Sequence, residues 1–149
     1  MQTPLLIRTS RDADVPAITA IYSVAVRTGT ASFELEPPDE AEIARRRAAV
    51  MGAGLPWLSA EHDGRVLGYA YAGPFRPRPA YRFAVENSIY VDQAAQGQGI
   101  GLLLLAELVA RCESPITATI WRAPHDSQRA TSSASSSKPM PWPCAAWST

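Results

Sequence analysis

The chain has 149 residues, enough for one domain with a core and too few for two comfortable ones. Its 14 basic and 14 acidic residues balance, so no net field draws it to nucleic acid or to an anionic membrane, and small-molecule chemistry is the expectation. Two distant cysteines, Cys112 and Cys144, suggest neither a metal cluster nor a disulfide framework, and the longest apolar run, Ile100 to Ala106, falls far short of the ~20 residues a bilayer span needs.

The opening stretch MQTPLLIRTSRDAD lacks an apolar run of signal-peptide length, which together with the unpaired cysteines predicts a cytoplasmic protein. Leu5 to Arg8 reads as a first strand. Asp12 or Asp14 then caps a helix with Pro16 in its first turn, where a missing N–H costs nothing, and Val15, Ile18, Ile21, Tyr22 and Ala25 share its apolar face. That helix ends near Thr28-Gly29. Pro37-Pro38 forbid helix until Asp39 caps a second one, which runs to about Met51 with Ile43, Arg47 and Val50 on one side. From Trp57 the period falls to two: WLSAEHDGRVLGYAYAGP predicts two antiparallel strands joined at Asp63-Gly64. FRPRPAY is irregular because its prolines remove donors, and residues 80–92 predict a further strand. A helix from about Gly99 to Arg111 follows, with Ile100, Leu103, Leu104 and Leu108 inward and Cys112 inert at its end.

Between that strand and helix the backbone is bare at Gly97, Gly99 and Gly101. A strand, a glycine-rich turn and a helix N-terminus together offer free N–H groups and the positive end of a helix dipole, a natural seat for phosphate. No Lys-Ser/Thr follows the glycines, so a P-loop is not indicated, and the spacing lacks the last interval of the dinucleotide fingerprint. The glycines would also suit a tight turn with close helix-to-sheet packing and no ligand.

The run Gln96-Gly97-Gln98-Gly99-Ile100-Gly101 resembles the pyrophosphate-binding motif of the GNAT acetyltransferase superfamily, Gln/Arg-x-x-Gly-x-Gly/Ala. The predicted order of strand, helix, helix, three strands, loop and helix agrees with it. Within that superfamily TASFELEPP, GLPWLSAEHDGRVLGYAYAGPFRPRPAYRFAVENSIYV and AQGQGIG are similar to the phosphinothricin and methionine sulfoximine acetyltransferase group, over roughly residues 4–113. The resemblance implies an α/β (α+β) fold with a mixed, mostly antiparallel central sheet flanked by helices. It also implies transfer of acetyl from acetyl-CoA to the amine of a small amino-acid analogue, without a covalent enzyme intermediate and without a metal. The coenzyme would lie on residues 96–101, its pantetheine arm beside Ile89, Tyr90 and Val91, with an N–H near Val91 available to the thioester oxyanion. Glu86 would accept the amine proton, with a structural ion pair to an arginine as the competing role. Arg76 and Arg78 would hold a carboxylate or phosphinate, Phe33 and Tyr81 would wall the side-chain slot, and Glu34 would contact the amine or cap a turn. The resemblance further implies a homodimer.

After Glu113 the composition changes abruptly: residues 114–149 contain no Gly, Leu, Val, Phe or Tyr and are dominated by Ser, Ala and Pro. The resemblance stops there. The chain therefore divides into a core over 1–113 and a low-complexity tail over 114–149, with one possible short strand at 116–121. The family's closing strands are expected to be missing or altered, as from a frameshift or a divergent truncation. That leaves a second functional expectation, an inactive remnant that at most binds acyl-CoA or a partner chain.

Overall fold

The computed structural model describes residues 4–30 and 32–120, the side chains of 114–120 excepted. Strand β1 (Leu6–Thr9) leads through a 3-10 turn at Asp12–Asp14 into α1 (Val15–Thr28). Helix α2 (Glu40–Gly52), strands β2 (Trp57–His62), β3 (Arg65–Pro74) and β4 (Val85–Val91), and helix α3 (Ile100–Ile120) follow. The strands form one antiparallel sheet in the order β1-β2-β3-β4, so the mixed α/β class with an antiparallel centre holds.

Local chemistry explains the boundaries. Asp39 accepts the Glu42 N–H at 2.8 Å and starts α2 directly after the two prolines. Asp63 and Gly64 both take positive φ, 49° and 74°, the two-residue turn whose twist matches a right-handed hairpin. The strand expected from residue 80 begins only at Val85, because Pro79–Tyr81 form a 3-10 turn. The chain stays helical through Ile120, where composition favoured a short strand, and Trp121 and the rest of the tail lie outside the described residues.

The strand period of two sorts the core into two layers. Trp57, Tyr69, Tyr71 and Tyr90 face α1 and α2, packing with Ile18, Ile21, Tyr22, Ile43 and Val50. Leu58, Ala60, Ala70 and Ala72 face α3, where Ile100, Leu104, Leu108 and Cys112 are buried. Leu103, expected inward, is half exposed, because 3.6-residue periodicity puts it beside the stripe that Ile100, Leu104 and Leu108 already complete. Small residues dominate the α3 face of the sheet, so the helix sits close. A Cβ at Gly68 would stand 2.9 Å from the Tyr90 carbonyl oxygen and 3.3 Å from Leu104 Cδ1.

Polar groups tie the layers at one end. Asp14 is buried and accepts from Arg8, the Arg11 N–H and the Ser59 hydroxyl. Arg8 also pairs with Glu61, and buried Arg47 reaches from α2 to Asp12 and to the carbonyl and hydroxyl of Ser10. Burial alone would raise the Asp14 carboxyl, but the Arg8, Arg11 and Ser59 hydrogen bonds outweigh it and hold the group at about 2.

Candidate functional site

The loop between β4 and α3 is built to leave donors free. Asp92 accepts the Ala94 N–H at 2.9 Å and closes a 3-10 turn at Gln93–Ala95, and Gln96 Nε2 donates to the Val91 carbonyl at 3.3 Å. Gly97 and Gly99 then adopt φ of +76° and +81°, the left-handed region that a side chain resists. Buried Ile100 anchors the helix start, and the Leu103 N–H is the first to find a partner, the Gly99 carbonyl at 3.2 Å. Among the described residues, the main-chain N–H groups of residues 97–102 have none. A Cβ at Gly97 or Gly99 would meet nothing within 4 Å, and one at Gly101 would touch only Val91 Cγ2 at 3.8 Å. Packing therefore does not require the bare surface at Gly101. Free donors in alternating left-handed turns at a helix N-terminus form an anion cradle.

Strand β4 continues that cradle as an open edge. The Asp92 N–H bonds the Leu67 carbonyl and the Phe75 N–H bonds the Ala84 carbonyl, so pairs 67/92 and 75/84 are of the hydrogen-bonded kind. Antiparallel alternation then commits the main chains of Glu86, Ser88 and Tyr90 to β3 and turns those of Asn87, Ile89 and Val91 outward. No partner strand meets that edge among the described residues. Ile89, Tyr90, Val91 and Gln96 border an open groove of about 1010 Å³ whose opposite wall includes Ile21 and Val24 of α1.

Side chains of the even residues of β4 point the other way, toward α1 and α2. Glu86 lies opposite Gly73, whose missing side chain leaves room beside it, and has no ion-pair partner among the described residues. Ser88 lies opposite Tyr71 and Tyr90 opposite Tyr69. The tyrosines stack, Tyr71 on Trp57 at 4.3 Å and Tyr90 on Tyr69 at 5.3 Å, and Tyr22 meets Tyr90 edge-on at 4.9 Å. Burial pushes the Tyr71 phenol up. The Ser88 hydroxyl and the Arg46 charge oppose that shift, and the charges of Glu86 and Glu34 add to it.

Glu34 is held from two helices. Tyr22 Oη donates to its Oε1 at 2.9 Å, and Arg46 Nη1 donates to the same oxygen at 2.5 Å. Burial disfavours the Arg46 charge, but hydrogen bonds to Glu34 and Glu42 outweigh it and keep the guanidinium protonated.

At the far end of β4, the turn between β3 and β4 carries Arg76, Arg78 and Arg82, none paired with a carboxylate among the described residues. The Tyr81 ring meets Phe75 edge-on at 5.3 Å, the Arg76 guanidinium lies 5.2 Å from the Phe75 ring centre, and the Tyr81 N–H bonds the Arg78 carbonyl. Positive charge at the turn thus gives way to negative charge at Glu86.

A family model described as the acetyltransferase (GNAT) family matches residues 18–131. The chain belongs to the GNAT acetyltransferases. It is 60% identical over 107 residues to a phosphinothricin N-acetyltransferase of Alcaligenes faecalis, an alignment covering 72% of this chain and 54% of the relative. It is 40% identical over 112 residues to an L-methionine sulfoximine/L-methionine sulfone acetyltransferase of Pseudomonas paraeruginosa, covering 72% of this chain and 63% of that one. The chain thus spans little more than half the length of the first and less than two thirds of the second. The crystal structure of a GNAT superfamily phosphinothricin acetyltransferase from Sinorhizobium meliloti in complex with AcCoA superimposes with a TM-score of 0.72 at 42% identity, covering 80% of this chain and 72% of that one.

The site residues expected of a GNAT chain fall into three groups. Residues 96–101 form the cradle, Ile89 and Val91 present free main chain beside it, and Tyr90 contributes its ring, since its main chain is spent on β3. Among the described residues Glu86 has no arginine partner, which was its competing role, and Arg76, Arg78 and Tyr81 share one turn. Phe33 is not packed against the other expected residues: its side chain stands wholly in solvent, as does that of Leu35. Glu34 neither caps a turn nor stands free, because Arg46 and Tyr22 occupy it. The sequence reading did not single out Tyr22, Arg46 or Tyr71 as neighbours of the candidate site. The only local signals were the alternation Tyr69-Ala70-Tyr71 and the (i, i+4) spacing of Glu42 and Arg46.

Proposed function

We propose that this GNAT chain transfers acetyl from acetyl-CoA to the amine of a small amino-acid analogue of the phosphinothricin or methionine sulfoximine kind. The observation that carries the reading is the unbroken set of N–H groups from residue 97 to 102, unpartnered among the described residues and continuous with a strand edge that no described strand covers. The cradle suits the diphosphate of the coenzyme, and the outward amides of Ile89 and Val91 suit an extended amide chain in the manner of an added strand.

On this reading the Val91 N–H stabilises the charge that develops on the thioester oxygen as the amine nitrogen attacks the carbonyl carbon. Glu86, directly or through a water, takes the proton that the ammonium must lose; an α-amino group titrates near ~8, so a carboxylate base suffices close to neutral pH. The C–S bond breaks, and the leaving thiolate takes the second proton that the nitrogen sheds on becoming an amide. Arg76 and Arg78 hold the acceptor's carboxylate or phosphinate at the positive end, which directs its amine along β4 toward Glu86. Tyr81 walls the same turn. No metal enters the scheme. A homodimer, which the family resemblance implies, completes it, with light scattering the check on assembly, and a cytoplasmic place follows from the cysteine usage and the opening stretch.

The test is CoA release, followed with a thiol reagent, on mixing the chain with acetyl-CoA and either phosphinothricin or methionine sulfoximine. Release that requires both substrates is expected. Coenzyme binding with no turnover on any acceptor would replace this reading with that of an acyl-CoA-binding protein.

A further inference from the structure

Residues 32–36 connect toward α2 as irregular chain with a bend at 35–36, and burial alternates along 32–35: Ser32 and Glu34 are half-buried, whereas Phe33 and Leu35 are fully exposed, at 101% and 97%. Among the described residues every side-chain hydrogen bond of this stretch runs to Tyr22 or Arg46 or stays within it. Ser32 Oγ lies 3.0 Å from Tyr22 Oη and accepts the Glu34 N–H at 3.2 Å, and the Glu34 carboxylate takes Tyr22 and Arg46 as described. Arg46 is itself shared with Glu42, its Nε donating at 2.6 Å, and Glu42 also takes Arg45. Two carboxylates and two guanidiniums thus cancel.

That cancellation decides what Glu34 can do. An acceptor ammonium approaching it would have to displace a guanidinium already bonded at 2.5 Å and would meet a cluster of zero net charge, whereas Glu86, on the α1/α2 side of the sheet, has no ion-pair partner among the described residues. Tyr22, bonded to Glu34 through its hydroxyl, rests its ring edge-on against Tyr90, which lies between the two outward amides of Ile89 and Val91. Stretch 32–36, α1 and β4 are therefore joined through one carboxylate.

We propose that Glu34 is a positioning residue that fixes stretch 32–36 and the Tyr22 ring against β4, and so sets acceptor affinity, instead of binding the acceptor amine. This rests on the acetyl-transfer reading above. The charge on Glu34 must be held by Arg46, so the two residues act as a unit and their removal is not additive.

The test compares Glu34→Gln, Arg46→Met, Arg46→Lys and the double variant with the parent chain. Two readouts are taken: the rate of chymotrypsin cleavage after Phe33 and Leu35, and KM for acceptor and for acetyl-CoA measured separately, with kcat. Losing a hydrogen bond to a charged group is expected to speed cleavage and raise acceptor KM by about tenfold in Glu34→Gln and Arg46→Met, with a smaller change in kcat and in the KM for acetyl-CoA. The double variant should be no worse than either single one, and Arg46→Lys should recover part of the loss. Faster cleavage with unchanged acceptor KM would make the contact merely structural and overturn the proposal. A loss in Glu34→Gln with none in Arg46→Met would overturn it in favour of a direct amine ligand. A parent chain that releases no CoA with any acceptor would sink the acetyl-transfer reading and the acceptor role of Glu34 together, whereas unaffected variants of an active parent would sink this proposal alone.

Discussion

Replacing Gly101 with alanine separates ligand binding from packing as the reason for a bare backbone at the start of α3. Gly101 is the second residue of the helix, does not share the positive φ of Gly97 and Gly99, and has space for a methyl group at ordinary contact distance, 3.8 Å, from Val91 Cγ2. Glycine in a helix costs about 0.5–1 kcal/mol relative to alanine, so the uncomplexed variant should be more stable by up to that amount. For a chain of this length that is a rise in Tm of roughly 2–4 °C. The new methyl group would nonetheless sit on a residue within the run of N–H groups 97–102, unpartnered among the described residues, which the proposed diphosphate must approach within hydrogen-bond distance. Coenzyme affinity should fall at least tenfold, about 1.4 kcal/mol. Thermal denaturation and isothermal titration calorimetry with CoA, run on parent and variant, read the two effects separately. Gly99→Ala is the contrast: its φ of +81° makes alanine strained, so that variant should lose about 1 kcal/mol of stability with or without ligand. A stabilised Gly101→Ala chain that binds CoA as tightly as the parent would refute the claim that this backbone is reserved for an anion.

Three further outcomes test other parts of the molecule. Glu86→Gln should lower turnover by about 10²-fold or more while leaving CoA affinity unchanged, because in the proposed reaction the carboxylate acts on the acceptor proton and not on the coenzyme. Gly68→Ala should destabilise by about 1–3 kcal/mol in urea, since its Cβ would press the Tyr90 carbonyl at 2.9 Å and neither β4 nor the Leu104 side chain can withdraw freely. Asp14 titrates at about 2 in the folded chain against an ordinary value of 3.8, so its stabilisation, about 2 kcal/mol, is fully present above the ordinary value and disappears as pH falls from there to about 2. Urea midpoints at pH 5 and pH 2.5 should diverge for the parent and converge for Asp14→Asn; equal divergence in both would assign the acid sensitivity elsewhere.

What could be read from sequence was local. Asp63-Gly64 is a turn because both residues tolerate positive φ, the faces of α1 and α2 follow the 3.6-residue period, and the glycine loop announces itself by spacing. Misreadings arose where neighbours compete. Leu103 is as apolar as Leu104, and only the geometry of α3 on the sheet decides which is buried. The turn at Pro79–Tyr81 shortened a strand that composition favoured. The contacts among Glu34, Tyr22 and Arg46 each span 12 residues, and those from Arg47 to Ser10 and from Ser59 to Asp14 span 37 and 45, too far for any sequence period to signal them. Glu34 was legible as a functional candidate, but its partners Tyr22 and Arg46 were not.

Strand β4 divides its labour by parity. Its odd-numbered positions offer amides to the open rim, and what they offer is independent of which side chain they carry; its even-numbered positions offer Glu86, Ser88 and Tyr90 to the opposite layer. Substitution can therefore rewrite the chemistry met by an acceptor without disturbing the rail of peptide groups beside it. Only proline, which deletes the amide hydrogen itself, would break that rail, and Ile89 and Val91 are the places where it would be felt.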